Sequence, residues 1–285
     1  MNRLGNMLKV IVVTTCIACK AGLYAQPGST TWKLVWSDEF DKEGPPDSAT
    51  WKHEKGFVRN NEHQWYQPAN AVCHNGLLTI TARRDSMPNP NYEAGSSNWK
   101  RNRPTIQYTS SSINTRGLKD WLYGRFEMRG KIDIQPGCWP AWWMLGTSGG
   151  GWPDNGEIDI MEYYKGKILA NYAVATEKPN SPKWFSNTVP VASLGEGWAD
   201  AFHVWRMDWD ENGIGIFVDD SLLNYQPQDS LYSHKGSNDY FPFKHPQYML
   251  LNLAIGGMNG GNPDATDFPR VFQVDYVRVY QKGKK

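Results

Sequence analysis

The stretch Gly156-Glu157-Ile158-Asp159-Ile160-Met161-Glu162 places three carboxylates within six residues of a segment that otherwise has the apolar pattern of a buried strand. Side chains alternate between the two faces of a strand, so Glu157 and Asp159 share one face while the isoleucines point to the other. Regular alternation would put Glu162 on the apolar face. One extra residue bulged out at Ile160 or Met161 would return Glu162 to the face of the other acids, and such bulges are common beside active sites.

Three carboxylates on one face indicate glycoside hydrolysis as a candidate chemistry. Cleavage with retention uses one carboxylate to attack the anomeric carbon and a second, about 5 to 5.5 Å away, to protonate the leaving oxygen and then deprotonate water. A third carboxylate close to both raises the proton affinity of the set, which suits an acid that stays protonated near neutral pH. The alternative interpretation is the acidic outer face of an amphipathic strand, and the flanking sequence bears on that choice.

A tryptophan-rich stretch precedes the acids, and it reads Gly137-Cys138-Trp139-Pro140-Ala141-Trp142-Trp143-Met144-Leu145-Gly146. The whole chain has 14 tryptophans in 285 residues, which is far above ordinary usage. Strand alternation puts Trp139 and Trp143 on one face and Trp142 on the other, so one set packs in the core while the other faces a groove. Because indole rings stack on the apolar faces of sugars, we expect at least one of Trp139 and Trp143 to be a sugar platform.

Together these motifs resemble the laminarinase-like branch of glycoside hydrolase family 16, whose members carry a bulged E-x-D-x-x-E strand after a W-P-A-x-W strand. Five further segments match the family pattern, at residues 61–66, 75–82, 123–129, 251–257 and 274–280. The resemblance spans about residues 32 to 281. Order, spacing and chemistry all agree, which makes the match specific although each fragment alone is weak.

The resemblance implies an all-β fold, a β-jelly-roll sandwich of two curved antiparallel sheets with a concave cleft for a polysaccharide. By their match to the family motif, Glu157 is expected to be the nucleophile, Glu162 the general acid/base and Asp159 the electrostatic helper. Expected substrate contacts are Trp139, Trp143, Asn61, Glu62 and Asn171. Asn61 also has an ordinary interpretation as a turn residue.

A structural calcium ion is also implied by the resemblance. Asp275 matches the family's calcium-binding aspartate, and a backbone carbonyl near Gly76 matches one of its partners. The alternative for Asp275 is an ordinary acid at the end of a strand. Double displacement needs no metal, so we expect no cofactor for catalysis.

The hydrophobic pattern supports an all-β fold independently of the resemblance. Short runs alternate apolar and polar residues and are separated by Gly, Pro, Asn and Asp clusters, at residues 77–82, 123–132, 202–209, 214–218, 248–254 and 272–280. Tight turns are predicted at Asn212-Gly213 and at Asp219-Asp220. An unrelated β-sandwich would fit this periodicity equally well, and only the motifs separate the two.

Composition favours a single domain at residues 26–285, because 40% hydrophobic residues can form a large core. The net charge of +1 gives no reason to expect a nucleic acid or an anionic membrane surface as partner. We expect a polysaccharide substrate and a monomer. The basic residues at 100–103 fit either a solvated loop or a contact with an anionic glycan.

Residues 1–25 have the features of a secretory signal, with Arg3 and Lys9 before an apolar stretch at 10–18 and small-residue cleavage near Ala25. The rival interpretation is a bacterial lipoprotein signal with a lipid on Cys19, which would anchor the protein to the outer membrane. The apolar run is too short for a transmembrane span. A secreted or periplasmic location is expected.

If the signal is removed, Cys73 and Cys138 remain. Two cysteines allow one disulfide in an oxidising compartment, and both also fit small buried hydrophobic positions. We expect free thiols.

Departures from the family pattern concern the substrate. The strand after the acids carries a histidine in typical laminarinases, whereas residues 168–175 have none and offer Asn171 or Tyr172 instead. Many β-1,3-glucanases have G-G-x-W-P-G where residues 256–261 read G-G-M-N-G-G. The polar segments 84–108 and 177–198 are expected to be long loops at the cleft rim.

These patterns predict a retaining endo-hydrolase of a β-linked polysaccharide, with β-1,3-glucan of the laminarin type favoured. The alternative within the class is an endo-β-galactanase acting on agar, porphyran, carrageenan or host glycans. A transglycosylase would use the same residues. A non-catalytic carbohydrate-binding protein of this type would lack one or both glutamates, whereas this chain has all three acids.

Overall fold

The computed structural model describes residues 31–235 and 238–283, and this part of the chain is built almost wholly from β-strands. In chain order the strands are β1 Trp32–Asp38, β2 Lys52–His53, β3 Gln64–Tyr66, β4 Ala71–His74, β5 Leu77–Pro88, β6 Thr105–Ser110, β7 Ser112–Asn114, β8 Gly124–Lys131, β9 Cys138–Gly146, β10 Glu157–Tyr164, β11 Lys167–Ala175, β12 Pro182–Pro190, β13 His203–Trp209, β14 Gly213–Val218, β15 Ser221–Pro227, β16 Ser233–Lys235, β17 Asn238–Tyr240, β18 Gln247–Ile255 and β19 Arg270–Lys282. The described helical segments are α1 Gly257–Gly260 and 3₁₀ turns at Pro68–Asn70, Val191–Ser193, Trp198–Asp200, Gln228–Ser230 and Pro242–Lys244.

Two large sheets make up the sandwich. The larger follows the order β15-β14-β13-β8-β19-β5-β6-β3, with β1 added on β19 and β4 on β5. The smaller follows the order β12-β11-β10-β9-β18-β7-β2. Strand pairing is antiparallel except between β3 and β6, which run parallel. The predicted β-jelly roll is confirmed, and the acid-bearing strand β10 lies inside the smaller sheet.

The hydrophobic core fills the space between the two sheets. Trp142 and Ile158 of the smaller sheet belong to the same buried cluster as Phe126, Trp205 and Phe272 of the larger one. A second, smaller cluster of Ala141, Trp143, Tyr248 and Leu250 lies on the smaller sheet's other face. This division follows the alternation of β9, which sends Trp142 inward and its neighbours Ala141 and Trp143 outward.

The predicted strands and turns are found with small changes in their ends. The turn between β14 and β15 holds Asp219 and Asp220 at φ of 46° and 65°, the left-handed pair of a two-residue hairpin turn. The reversal between β13 and β14 is closed by a hydrogen bond from the Asp210 backbone N–H to the Gly213 carbonyl, so its central residues are Glu211 and Asn212, one position before the predicted pair. Asp210 Oδ1 accepts a hydrogen bond from the Asn212 backbone N–H at 2.8 Å and stabilises this turn. Local turn chemistry therefore determines both hairpins.

The prediction of two long rim loops is wrong in part. Within 177–198, residues 182–190 form β12, which pairs with β11 along its whole length and is the edge strand of the smaller sheet. Within 84–108, β5 continues to Pro88 and β6 begins at Thr105, so the loop covers only 89–104. Polar composition misled the prediction at β12, because an edge strand outside the core has no need of alternating hydrophobic residues.

The two described cysteines, Cys73 and Cys138, are buried and unpaired, which confirms the expectation of free thiols. Burial raises the pKa of the Cys73 thiol to about 12. Among the described residues, no helix has the length and apolar character needed to cross a membrane. The predicted signal at residues 1–25, with Cys19, lies outside the described residues.

Replacement of a core tryptophan should reduce stability much more than replacement of an exposed tryptophan on the edge strand β12. Trp142 is fully buried between the sheets, whereas Trp184 is 44% exposed. Trp142→Ala should lower the free energy of unfolding by about 3–5 kcal/mol, and Trp184→Ala by less than about 1 kcal/mol. Urea unfolding followed by circular dichroism measures both, and equal losses would contradict the assigned core.

Candidate active site

A bulge in β10 brings the three carboxylates to one face. Asp159 pairs with Trp143 of β9 and with Asn171 of β11, whereas Glu162 pairs with Ala141 and Leu169. The register therefore shifts between the two acids on both sides of β10. Ile160 and Met161, both fully buried, occupy the interval and point into the core. The predicted bulge is confirmed, and it places Glu162 beside Asp159.

The three acids lie in a cleft on the outer face of the smaller sheet. Its volume is about 360 Å³, within the range of ligand sites. Besides Glu157, Asp159 and Glu162, the cleft is lined by Arg59, Asn60, Glu62, Trp139, Ala141, Trp143, Leu145, Trp152, Trp184, Asn252 and Asn259. Loops, β9, β12 and β18 all contribute to this wall, so it exists only in the folded chain.

Each carboxylate accepts hydrogen bonds from a neutral side chain. Glu157 Oε2 accepts from Trp152 Nε1, and Glu162 Oε1 accepts from Trp139 Nε1 at 2.8 Å. The Asn171 amide donates to Asp159 Oδ2 and to Glu162 Oε2, both at 3.1 Å. Neutral donors stabilise ionised carboxylates without adding a counter-charge. Asn171 is buried behind the acids, where it bridges two of them.

Burial raises the pKa of all three carboxyls. The pKa of Asp159 rises to about 6, and the pKa values of Glu157 and Glu162 rise well above their usual range. The negative charge of Asp159 raises the pKa of both glutamates further, whereas the Trp152 N–H acts in the opposite direction on Glu157. Three adjacent carboxyls, of which Asp159 and Glu162 are buried and Glu157 is half-buried, cannot all be ionised, so the group retains protons near neutral pH.

The exposed aromatic residues of the cleft are not the two tryptophans that the sequence pattern predicts. Trp139 and Trp143 line the cleft but are only 6% and 8% exposed, and their indole N–H groups bond Glu162 and Asn252. Trp152 and Trp184 are each 44% exposed and line the same cleft. Their rings therefore offer the larger stacking surface. In the sequence, Trp152 stands just before the acids in a glycine-rich segment, and this position could have indicated that it lines the cleft.

The predicted contacts Asn61 and Glu62 occupy a turn at the cleft wall. Glu62 is buried and accepts a hydrogen bond from Gln64 Nε2 at 2.6 Å, and burial raises its pKa. Asn61 is exposed with φ of 51°, and its backbone carbonyl accepts from Arg103 Nη2 at 2.9 Å. The turn interpretation of Asn61 is thus supported, and Glu62 is the member of the pair that lines the cleft.

Three further cleft residues were missed in the sequence. Asn252 lies on β18 and binds the Trp143 indole at 2.8 Å. Asn259 comes from α1, in the segment that departs from the family pattern. Arg59 lies two positions before the matched 61–66 segment, and its guanidinium carbon is over the Trp143 ring, 5.1 Å from the ring centroid. Only their proximity to matched motifs could have indicated them.

The side chains near the expected calcium site are already paired. Asp275 Oδ2 accepts from Arg129 Nη1 at 2.5 Å, and Gly76 lies in the turn between β4 and β5. Within residues 31–235 and 238–283, no group of three or more His, Cys, Asp and Glu side chains could hold a metal ion. The expected site combines one aspartate with backbone carbonyls, so calcium binding stays a prediction.

A jelly roll whose outer cleft clusters three carboxyls among tryptophans defines a glycoside hydrolase. The sequence model of glycosyl hydrolases family 16 matches residues 59–278. The chain belongs to this family.

Individual relatives refine this comparison. The chain is 37% identical over 271 residues to a β-glucanase of Rhodothermus marinus, a match that covers 88% of this chain and 85% of the relative. The catalytic domain of an endo-1,3-β-glucanase (laminarinase) from Thermotoga petrophila matches with a TM-score of 0.73 and 32% identity, covering 90% of this chain and all of the domain. A structure from work on endo-acting O-glycanases with which human gut microbiota initiate mucin breakdown matches with a TM-score of 0.78 and 33% identity, covering 90% and 92%.

The pH dependence of kcat/KM should show the electrostatic repulsion between Asp159 and Glu162. Because the charge of Asp159 raises the pKa of Glu162, its removal in Asp159→Asn lowers that pKa. Glu162 then loses its proton at lower pH, and the alkaline limb of kcat/KM shifts to lower pH. The pH profile of kcat/KM for both proteins measures the shift. An unchanged or upward-shifted alkaline limb would show that Asp159 does not act on the acid.

Proposed function

We propose that the protein is a retaining endo-glycoside hydrolase that cleaves a β-linked polysaccharide by double displacement, with β-1,3-glucan of the laminarin type as the favoured substrate. The observation that supports it is the bulge of β10, which gathers Glu157, Asp159 and Glu162 on the cleft floor. The similarity to a β-glucanase and a laminarinase domain supports the glucan assignment.

In this mechanism Glu157 attacks the anomeric carbon while Glu162 gives its proton to the leaving glycosidic oxygen. A covalent glycosyl-enzyme forms and the leaving part of the polysaccharide departs. Glu162, now ionised, takes a proton from water, which attacks the same carbon and releases the sugar from Glu157. Two inversions leave the anomeric configuration unchanged.

The surrounding side chains suit these proton positions. Trp152 donates to Glu157 and lowers its pKa, which partly opposes the burial and the charge of Asp159 that raise the pKa of this nucleophile. Burial together with the charge of Asp159 raises the pKa of Glu162 and keeps the acid protonated. Asn171 donates to both Asp159 and Glu162 without titrating, so it holds them in place through the cycle. Asp159 is assigned the role of electrostatic helper.

Replacement of each glutamate should have a distinct effect. Glu157→Gln should abolish turnover while leaving polysaccharide binding, because the amide cannot attack the anomeric carbon. Glu162→Ala should lose at least about 100-fold in kcat on polysaccharide and recover much of it on an activated aryl glycoside, whose leaving group needs no proton.

Initial rates and product chromatography on the purified proteins measure these effects. Glu43→Gln, an exposed acid outside the cleft, is the matched control and should behave as wild type. Full activity of the Glu157 variant would contradict the mechanism, and unchanged activity of the Glu162 variant on polysaccharide would contradict its role as acid.

A second candidate is an endo-β-galactanase acting on agar, porphyran, carrageenan or host glycans. It is favoured by the TM-score of 0.78 to a structure from work on mucin-degrading O-glycanases. Asn171 and the Met258-Asn259 pair also stand where laminarinases carry other residues, and Asn259 lines the cleft. Product analysis after incubation with laminarin, mixed-linkage glucan, agarose, porphyran, carrageenan and mucin glycans separates the candidates.

Secretion and a monomeric state complete the proposal. Secretion rests on the sequence of residues 1–25, which lie outside the described residues, and lipidation at Cys19 is the alternative to a soluble product. An extracellular location fits a polymeric substrate that cannot enter a cell. Cell fractionation and size-exclusion chromatography test the two statements.

A further inference from the structure

Arg59 covers part of Trp143, one of the two tryptophans that the sequence pattern assigns to the cleft. Its guanidinium carbon lies 5.1 Å from the ring centroid of Trp143, the geometry of a cation–π contact. Both residues line the cleft, and the Arg59 side chain is 22% exposed against 8% for Trp143 as a whole. A sugar at this point therefore meets a guanidinium edge as well as the little indole surface that remains.

The hydrogen bonds of Arg59 leave part of the guanidinium available. Both carboxylate oxygens of Glu54 accept from a single nitrogen, Nη2. Within residues 31–235 and 238–283, Nε and Nη1 of Arg59 have no hydrogen-bond acceptor. An arginine side chain carries N–H donors on all three nitrogens, and Nε and Nη1 of Arg59 are not among the buried polar atoms that lack a partner, so solvent and a ligand can both reach them. A bound ligand with oxygen acceptors would satisfy them.

The charge around Arg59 decides which oxygens can bind there. Glu54 is held in place by Ser112 Oγ, which donates to its Oε2 at 2.6 Å, and it neutralises the guanidinium. Glu62 adds a second carboxyl on the cleft wall. One cation thus faces two carboxyls, and the site has no excess positive charge for a sulfate or carboxylate. Neutral hydroxyl, ring or amide oxygens remain suitable acceptors.

We propose that Arg59 forms a subsite for an uncharged sugar unit, to which its Nε and Nη1 groups donate, and that the Glu54 carboxylate makes this subsite reject sulfated or carboxylated units. This assignment rests on the proposed function, since it concerns the same cleft. Arg59 is a substrate-binding residue that selects which units of the polysaccharide can lie there. It takes no part in bond cleavage.

The test compares a neutral polysaccharide that the wild-type enzyme cleaves with the chemically sulfated form of the same polysaccharide. Arg59→Ala should raise KM for the neutral substrate about 10-fold with kcat nearly unchanged, because hydrogen bonds from a charged group are lost. Arg59→Lys should recover part of the loss. Glu54→Gln should raise the ratio of kcat/KM for sulfated over neutral substrate about 10-fold, because the carboxylate no longer balances the positive charge of the guanidinium.

The matched controls are Glu39→Gln and Arg278→Ala, which break a bidentate ion pair of similar exposure in the larger sheet. These variants should keep the wild-type KM and the wild-type substrate ratio. Thermal unfolding establishes that each protein is folded. An unchanged ratio in folded Glu54→Gln, an unchanged KM in folded Arg59→Ala and Arg59→Lys, or a wild-type preference for sulfated substrate would each overturn the assignment.

Failure of the proposed function is separable from failure of this assignment. If the wild-type protein cleaves no polysaccharide, the hydrolase proposal fails, and the subsite is then measured by affinity electrophoresis in gels containing laminarin or sulfated laminarin. Retardation by laminarin that disappears in Arg59→Ala, with retardation by sulfated laminarin appearing in Glu54→Gln, supports the subsite. Identical migration of the wild-type protein and both variants in both gels overturns it.

Discussion

The bulge of β10 is the constraint on which the rest of the site depends. A strand that must bury Ile158, Ile160 and Met161 in one core cannot also present three acids on its other face in regular alternation. Placing two consecutive residues inside the core resolves this conflict, because it restores Glu162 to the outer face. The placement of the three acids therefore depends on hydrophobic packing between the sheets, so a change in the core at Ile160 or Met161 would also change the cleft.

Gathering three carboxyls on the floor of one cleft has an electrostatic cost that neutral donors offset. Indole N–H groups of Trp139 and Trp152 and the amide of Asn171 supply hydrogen bonds to the three acids. None of these donors carries a charge, so the acids keep raised pKa values and can exchange protons during a reaction cycle. A lysine or arginine in their place would hold the carboxyls ionised.

The cleft presents two kinds of surface to a glycan. Trp152 and Trp184 offer exposed rings, whereas Arg59, Glu62 and Asn252 offer hydrogen-bonding groups beside the nearly buried Trp143. Stacking on indoles tolerates many sugars, since most pyranose rings have an apolar face. Directed donors and acceptors discriminate between hydroxyl patterns and between neutral and charged units. The polar part of the cleft can therefore discriminate between sugars more sharply than its tryptophans can.

The sequence by itself determined most of the longer strands, the Asp219-Asp220 turn, the bulge and the positions of the three acids. These features depend on local alternation, on turn residues such as Asp219 and Asp220, and on closely spaced motifs. It misassigned β12, because an exposed edge strand lacks the apolar alternation by which strands are recognised.

Only the tertiary structure decided which tryptophans are exposed and which donors reach the acids. Alternation tells which face a side chain occupies, and it does not tell what covers that face. Trp143 is covered by Arg59, which is distant in the chain, and Asn171 reaches the acids through pairing of β11 with β10. Such contacts join residues far apart in sequence, and the packing of the whole sandwich determines them.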